Sequence, residues 1–311
     1  MSDTVTPAEH DSYWKFVFQL IQSHLSGAPP DVLWHYTSGA TMIEIIKSGT
    51  LFATQIACVN DTTEFRYSVE LLIEAFRRRR PTATNADEIA LLDYILANIS
   101  TDTGANEWFV ACFSLQRDDL SQWRAYSGGE NGCAIAFDAR ALIPSIRMPT
   151  FFLGPVNYDA ALHVQIVDAV AAATVRFFLQ GLTAAARTRT GWMQSFLTAW
   201  VVVIGYIAPV LKHPAFRDER EWRIFHPLQA TDRPHMQYRQ RRTLMSRHLP
   251  LRLFRPGVPD DPKLMPIIEI MVGPSRHKNV SRISVGDLLL TQGYPPGACN
   301  ISMSIAPYQE V

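Results

Sequence analysis

Three observations on the chain predict an α+β fold. Apolar runs of strand length occupy 32–36, 108–114 and 132–137, and apolar residues at helical spacing fill 65–76 and 89–99. An Ala-rich helical stretch at about 158–211 divides these from a second group of strands that begins near Glu221. With 311 residues, 47% hydrophobic and 19% charged, the chain has material for a large core and is neither disordered nor fibrous in composition.

Each element follows from local chemistry. Residues 1–30 form an N-terminal helical extension: Phe16, Phe18, Leu20 and Ile21 lie in a helical stretch over 14–24, which Gly27-Ala28-Pro29-Pro30 ends. Residues 31–311 make a single α+β domain. It opens with a strand over 32–36, a helix over 41–47 closed by Ser48-Gly49, and a second strand over 51–54. Phe65, Val69, Leu72 and Phe76 mark a helix whose solvated basic end is Arg77 to Arg80, and Asn85 with Glu88 opens the next helix. The polar segment 120–130 between two central strands reads as a functional loop. Residues 158–211 form a helical insertion, and a strand, helix, strand unit over 267–305 completes the chain.

Composition removes several function classes. The 29 basic and 29 acidic side chains balance, so the global charge signature of a nucleic-acid binder or a polybasic membrane protein is missing. Cys58, Cys112, Cys133 and Cys299 are widely spaced in apolar contexts, which makes them buried free thiols and points to a reducing cytoplasm. Residues 1–10 lack a signal-peptide pattern. The apolar stretch 195–211, interrupted by Pro209, is read as a buried core helix, so no membrane partner is expected. Phosphate-loop, dinucleotide-fold, zinc-protease and nucleophile-elbow motifs are absent, and the histidines show no ligand spacing, so no metal is expected.

The densest chemistry lies at 216–225, where Glu219 and Glu221 stand two residues apart as a charged loop runs into an apolar strand. Residues i and i+2 of a strand share a face, so two carboxylates there would form one acidic site. The alternative is a solvated strand edge on which they pair with Arg217, Arg220 and Arg223. Other polar residues stand at strand ends and in loops: His35, Tyr36 and Thr37; Asn60, Asp61 and Glu64; Ser114; and Trp123, Arg124 and Tyr126. Such positions converge on one cleft while the scaffold beneath stays apolar. Singly, each also fits a core aromatic, a satisfied core histidine or a helix cap.

The ordered series resembles the bacterial proteins catalogued as domain of unknown function 2971. It comprises His35-Tyr36-Thr37, Ser48-Gly49-Thr50-Leu51, Asn60-Asp61-x-x-Glu64, Cys112-Phe113-Ser114, Ser121-x-Trp123-Arg124-x-Tyr126 and Lys212-His213-x-x-Phe216-x-x-Glu219-x-Glu221-Trp222-Arg223, and spans about 32–308. More distantly, the order of a strand-end His, a helix-Ser-Gly-strand hairpin, a strand ending in Ser and a late Glu-x-Glu is similar to mono-ADP-ribosyltransferases. That resemblance implies an ADP-ribosyltransferase-like split sheet with NAD⁺ as substrate and no permanently bound cofactor. It implies Glu221 as the catalytic carboxylate, Glu219 as the residue orienting a protein or nucleic-acid acceptor, and His35 on a ribose of NAD⁺. Tyr36, Thr37, Ser114, Trp123, Arg124 and Tyr126 would complete the NAD⁺ site, with Asn60, Asp61 and Glu64 supporting it. Arg124 would bind the pyrophosphate or pair with Glu221. The chain departs from the Glu-x-Glu pattern in carrying His35 in place of Arg and Cys112-Phe113-Ser114 in place of Ser-Thr-Ser. The family analogy adds a setting in bacterial defence or toxin biology. Rival readings are a non-catalytic nucleotide or partner binder and a nuclease whose Asp61, Glu64 and Glu221 hold Mg²⁺.

Overall fold

The computed structural model describes residues 3–24, 30–59, 63–100, 108–127, 131–145, 151–184, 187–240, 244–253 and 264–307. The chain forms two compact units, each assembled from three stretches: a helical unit over Met1–Gly27, Gln55–Trp108 and Val156–Arg217, and a sheet unit over Ala28–Thr54, Phe109–Pro155 and Asp218–Val311.

The helical unit contains α1 (Pro7–His24), α3 (Thr63–Arg79), α4 (Ala86–Asn98), α7 (Ala160–Ala184) and α8 (Arg189–Ile207). α1 begins a full two turns earlier than its apolar spacing indicates. Asn85 caps α4, its side-chain oxygen accepting from the N–H groups of Asp87 and Glu88. The basic run at the end of α3 is neutralised residue by residue: Arg77 by Glu74, Arg78 by Asp168, Arg79 by Glu88 and Arg80 by Asp93. Aromatic rings fill the interior, with Trp108 edge-on to Tyr206 at 4.6 Å. A Cβ on Gly205 would lie 1.5 Å from the Trp108 indole nitrogen, so only glycine permits that approach. The 195–211 stretch lies mostly in α8 and ends in a turn at Ala208–Val210. Among the described residues, the helix long and apolar enough to cross a membrane is instead Ala160–Thr183, half of whose apolar window is buried inside the protein.

The sheet unit is mixed α and β. Its elements are β1 (Val32–Ser38), α2 (Gly39–Ser48), β2 (Thr50–Gln55), β3 (Trp108–Ser114), α5 (Leu120–Tyr126), β4 (Gly132–Asp138), α6 (Ala139–Ser145), β5 (Phe152–Pro155), β6 (Glu221–Pro227), β7 (Gln237–Gln240), β8 (Met245–Arg252), β9 (Ile267–Val272), α9 (Lys278–Thr291) and β10 (Asn300–Met303). Among the described residues, ten strands form one mostly antiparallel sheet in the order β10-β9-β4-β1-β3-β2-β8-β7, with β6 pairing β3 and β5. β10 lies parallel to β9, as a strand returning through a helix such as α9 can. Ser38 caps α2, and Gly49 at φ 62° ends it in the left-handed conformation that glycine adopts without a steric penalty. The 120–130 segment, expected as a loop, contains α5, which Asp119 starts by accepting from the N–H groups of Ser121 and Gln122.

Strand alternation gives the sheet two apolar faces. One carries Leu33, Phe113, Ile135, Trp222, Ile224 and Ile270, packed with residues of α2 and α9. The other carries Trp34, Tyr36, Ala134, Ala136 and Met271, packed with Trp123 of α5. The four cysteines form no disulfide, and of the four expected to be buried Cys133 is, its thiol pushed up to about 12 by burial, while Cys58, Cys112 and Cys299 are half-buried.

Candidate functional site

β6 starts at Glu221 because Arg220, at φ 44°, sits in the left-handed region that a strand excludes. Residues Pro214–Glu219 form a 3₁₀ helix, so Glu219 lies outside the strand and the two carboxylates do not share a face through strand alternation. The same i, i+2 rule instead joins Glu221 to Arg223. Arg223 Nε donates to Glu221 Oε1 at 2.7 Å and Nη2 to Oε2 at 2.8 Å, a planar two-bond fork. Their side chains are 5% and 1% exposed, so the pair is buried and the solvated-edge alternative does not describe it.

Ser114 fixes this turn against the end of β3. Its hydroxyl donates to the Glu219 carbonyl at 2.8 Å and accepts from Gln116 N–H at 3.1 Å, while Leu115 N–H donates to the Arg220 carbonyl at 3.1 Å. Ser114 therefore acts through backbone groups: it holds Glu219, and Leu115 holds Arg220, the two residues that precede Glu221.

The sequence-derived site residues divide between the two sheet faces. Ser114 is in register with Trp34, which puts it on the face of Tyr36 and Trp123. Glu221 and Arg223 alternate with Trp222 and Ile224 and so point to that same side. His35 and Thr37 alternate with Tyr36 and point to the opposite side, where His35 lies against Phe113 at 5.9 Å between ring centroids. The convergence of His35 and Trp123 on one cleft, expected from their order in the chain, is not what β1 produces: adjacent strand residues cannot share a face.

Each residue's surroundings limit its role. Tyr36 hydroxyl donates to the Gln116 carbonyl at 2.7 Å and accepts from Asp119 N–H at 3.2 Å; burial raises its pKa. Trp123 is 3% exposed, edge-on to Tyr36 at 4.7 Å, with its indole N–H on Asp118 Oδ1 at 2.7 Å. Its ring is thus locked in packing. Tyr126 is partly exposed beside it, and Arg124 faces solvent. His35 Nδ1–H donates to the Cys112 carbonyl at 2.9 Å, which leaves Nε2 as an acceptor, and burial holds its pKa below the ordinary value. Asn60 and Asp61 lie outside the described residues, as does the side chain of Glu64.

Arg223, which the sequence offers only as a partner on a solvated edge, forms a buried fork with Glu221, a pairing the i, i+2 rule contains. Two functional-looking groups escaped the sequence. Asp118 gathers Trp123 Nε1, Ser304 Oγ at 2.6 Å and Ile305 N–H at 2.8 Å, joining segments no motif connects. In the helical unit, Tyr67 hydroxyl meets His163 Nδ1 at 3.0 Å, His163 Nε2–H donates to the Asn157 carbonyl at 2.9 Å, and His213 lies edge-on to Tyr67 at 5.3 Å. Burial lowers the pKa of His163. Among the described residues no cluster of three or more His, Cys, Asp or Glu is placed to hold a metal ion.

The family described as "Protein of unknown function (DUF2971)" matches residues 122–224, which run from α5 to β6 and include Trp123, Arg124, Tyr126, Glu219 and Glu221. None of the curated proteins and none of the solved structures matches the chain.

Proposed function

We propose that the protein is an ADP-ribosyltransferase-like enzyme that cleaves NAD⁺ at the nicotinamide glycosidic bond and passes ADP-ribose to a protein or nucleic-acid acceptor. The observation that carries this reading is the position of Glu221. It opens β6 beside the Ser114 end of β3, on the sheet face that holds Tyr36, Trp123 and Tyr126. The left-handed Arg220 at its entry supports the reading, since backbone strain of about 1–3 kcal/mol per residue persists where a site requires it.

In this reaction the bond from ribose C1′ to the nicotinamide nitrogen breaks, and its electron pair leaves with nicotinamide. An acceptor lone pair then bonds to C1′ and the acceptor loses a proton. Positive charge builds on the ribose between these events, and a carboxylate hydrogen-bonded to a ribose hydroxyl stabilises it. The Arg223 fork engages both Glu221 oxygens and fixes the plane of the carboxylate. Tyr126 is the partly exposed aromatic suited to stack on nicotinamide, with Trp123 as its fixed support, and Arg124 suits the pyrophosphate. Glu219 orients the acceptor. His35, on the other face, fixes the β1–β3 pairing in this account, and its free Nε2 is the position to test for a ribose contact.

Incubating the protein with nicotinamide-labelled NAD⁺ and mixed acceptors is expected to release free nicotinamide, with EDTA without effect and Glu221→Gln lowering the rate by about 10²–10³. No release by the wild type sinks the enzyme reading, and cleavage of a nucleic acid that EDTA abolishes, without nicotinamide release, favours metal-dependent nuclease chemistry. The buried Arg223–Glu221 fork favours one second reading, in which the same fold binds a nucleotide or partner and cleaves nothing; NAD⁺ binding without release is its signature.

A further inference from the structure

We propose that the cavity between α1 and helices α7 and α8 is a binding site for a small, uncharged aromatic molecule carrying one hydrogen-bond acceptor. The cavity lies within the helical unit and is independent of any chemistry on the sheet.

Its volume is about 280 Å³, and Tyr13, Phe177, Trp192 and Phe196 supply aromatic walls. Tyr13 lies 5.0 Å from Phe177 and 5.7 Å from Phe196, and Trp192 lies 5.7 Å from Phe196, all between ring centroids. Phe177 is the most open of the four, with Tyr13, Trp192 and Phe196 nearly buried behind it, so an inserted ring would meet Phe177 first. The volume suits one or two fused rings, at the small end of ligand sites.

Charge selects the ligand further. Glu9 lines the cavity and is bonded by both terminal nitrogens of Arg187, at 2.8 and 2.9 Å. The two charges cancel, and an ion of either sign would meet its like partner, so a neutral guest is preferred. Arg187 also reaches two other features of the wall: Nη1 donates to the Gly181 carbonyl at 3.0 Å, and the guanidinium carbon lies 4.1 Å from the Trp192 ring centroid. Its side chain is 4% exposed, and its Nε–H is a buried donor with no partner among the described residues. A buried donor left unmade is costly. An acceptor on the ligand would satisfy it while the ligand's rings meet the aromatic walls.

Quinoline and naphthalene are isosteric probes that differ by one acceptor nitrogen, and N-methylquinolinium adds a charge. Equilibrium dialysis against the full chain is expected to show quinoline bound, and N-methylquinolinium at least tenfold weaker. Ser12→Trp and Ala8→Trp, at exposed lining positions of α1, fill the cavity and should weaken both neutral probes at least tenfold, with the unfolding midpoint unchanged. Arg187→Lys keeps the charge but removes the Nε donor, and should lower the quinoline-to-naphthalene affinity ratio about tenfold, the worth of one net hydrogen bond. Absence of quinoline binding at its solubility limit overturns the proposal, as does wild-type binding by a folded filling variant. An unchanged ratio in Arg187→Lys overturns the acceptor assignment.

Discussion

Glu221 and Arg223 place opposite charges where water does not reach. Desolvating both ions costs several kcal/mol, which the fork offsets only while both members are present. Glu221→Leu is therefore expected to destabilise the protein by about 3–5 kcal/mol, and Glu221→Leu with Arg223→Met to recover most of that, as read from urea denaturation midpoints. A loss that the double variant does not recover would mean that the fork is not the main partner. His35 makes a separate prediction through pH. Its folded pKa is held below the ordinary 6.5, so as pH falls the unfolded chain binds the proton first. The stability it contributes is full above 6.5 and is lost as pH falls through its lower folded value. His35→Asn should flatten the midpoint-versus-pH curve below about pH 6.5, with buried His163 supplying the remaining slope in the same direction.

At the scale of elements, α1 is tied to the α7–α8 connection by the Glu9–Arg187 fork, and that tie has its own pH window. Hydrogen bonds from Arg187 bring the Glu9 carboxyl from 4.5 to about 2. A depressed carboxylate adds stability above its unfolded pKa that is lost as pH falls through the folded one, so the loss runs from about 4.5 down to about 2. Near-ultraviolet circular dichroism from Tyr13 and Trp192 should change over that window in the wild type, and Glu9→Gln should remove that step. What the sequence could tell differed by element. α2 was legible because its cap and its stop are both local: Ser38 and Gly49 act within a turn of the helix they bound. α5 was not, because its cap, Asp119, is held in turn by Tyr36 from a distant strand. The basic end of α3 is solvated as its composition indicates, with Arg77 and Arg78 exposed, but its ion partners Asp168, Glu88 and Asp93 come from other helices and no local pattern names them.

At the scale of the molecule, the motif order along the chain was readable, but the faces on which those motifs fall were not. Face is set by register, and a shift of one residue reverses it. In β1, alternation puts Tyr36 and His35 on opposite sides, and the pairing with β4 from Val32↔Asp138 to Ser38↔Gly132 decides which side each meets. The Glu219–Glu221 pair failed for a related reason, since the left-handed Arg220 interrupts the strand that would have aligned them. Each unit draws on three separate stretches of chain, so the candidate site is assembled from residues that only the completed sheet brings together. The measurement that tests the central claim most directly follows two labels on NAD⁺, one in the adenine ring and one in nicotinamide, after incubation with the protein and mixed acceptors. The account predicts that the adenine label becomes attached to macromolecule while the nicotinamide label is freed, with separation about 10²–10³-fold slower in folded Glu221→Gln. Labels that stay together in the wild type, or separate equally well in that variant, would contradict it.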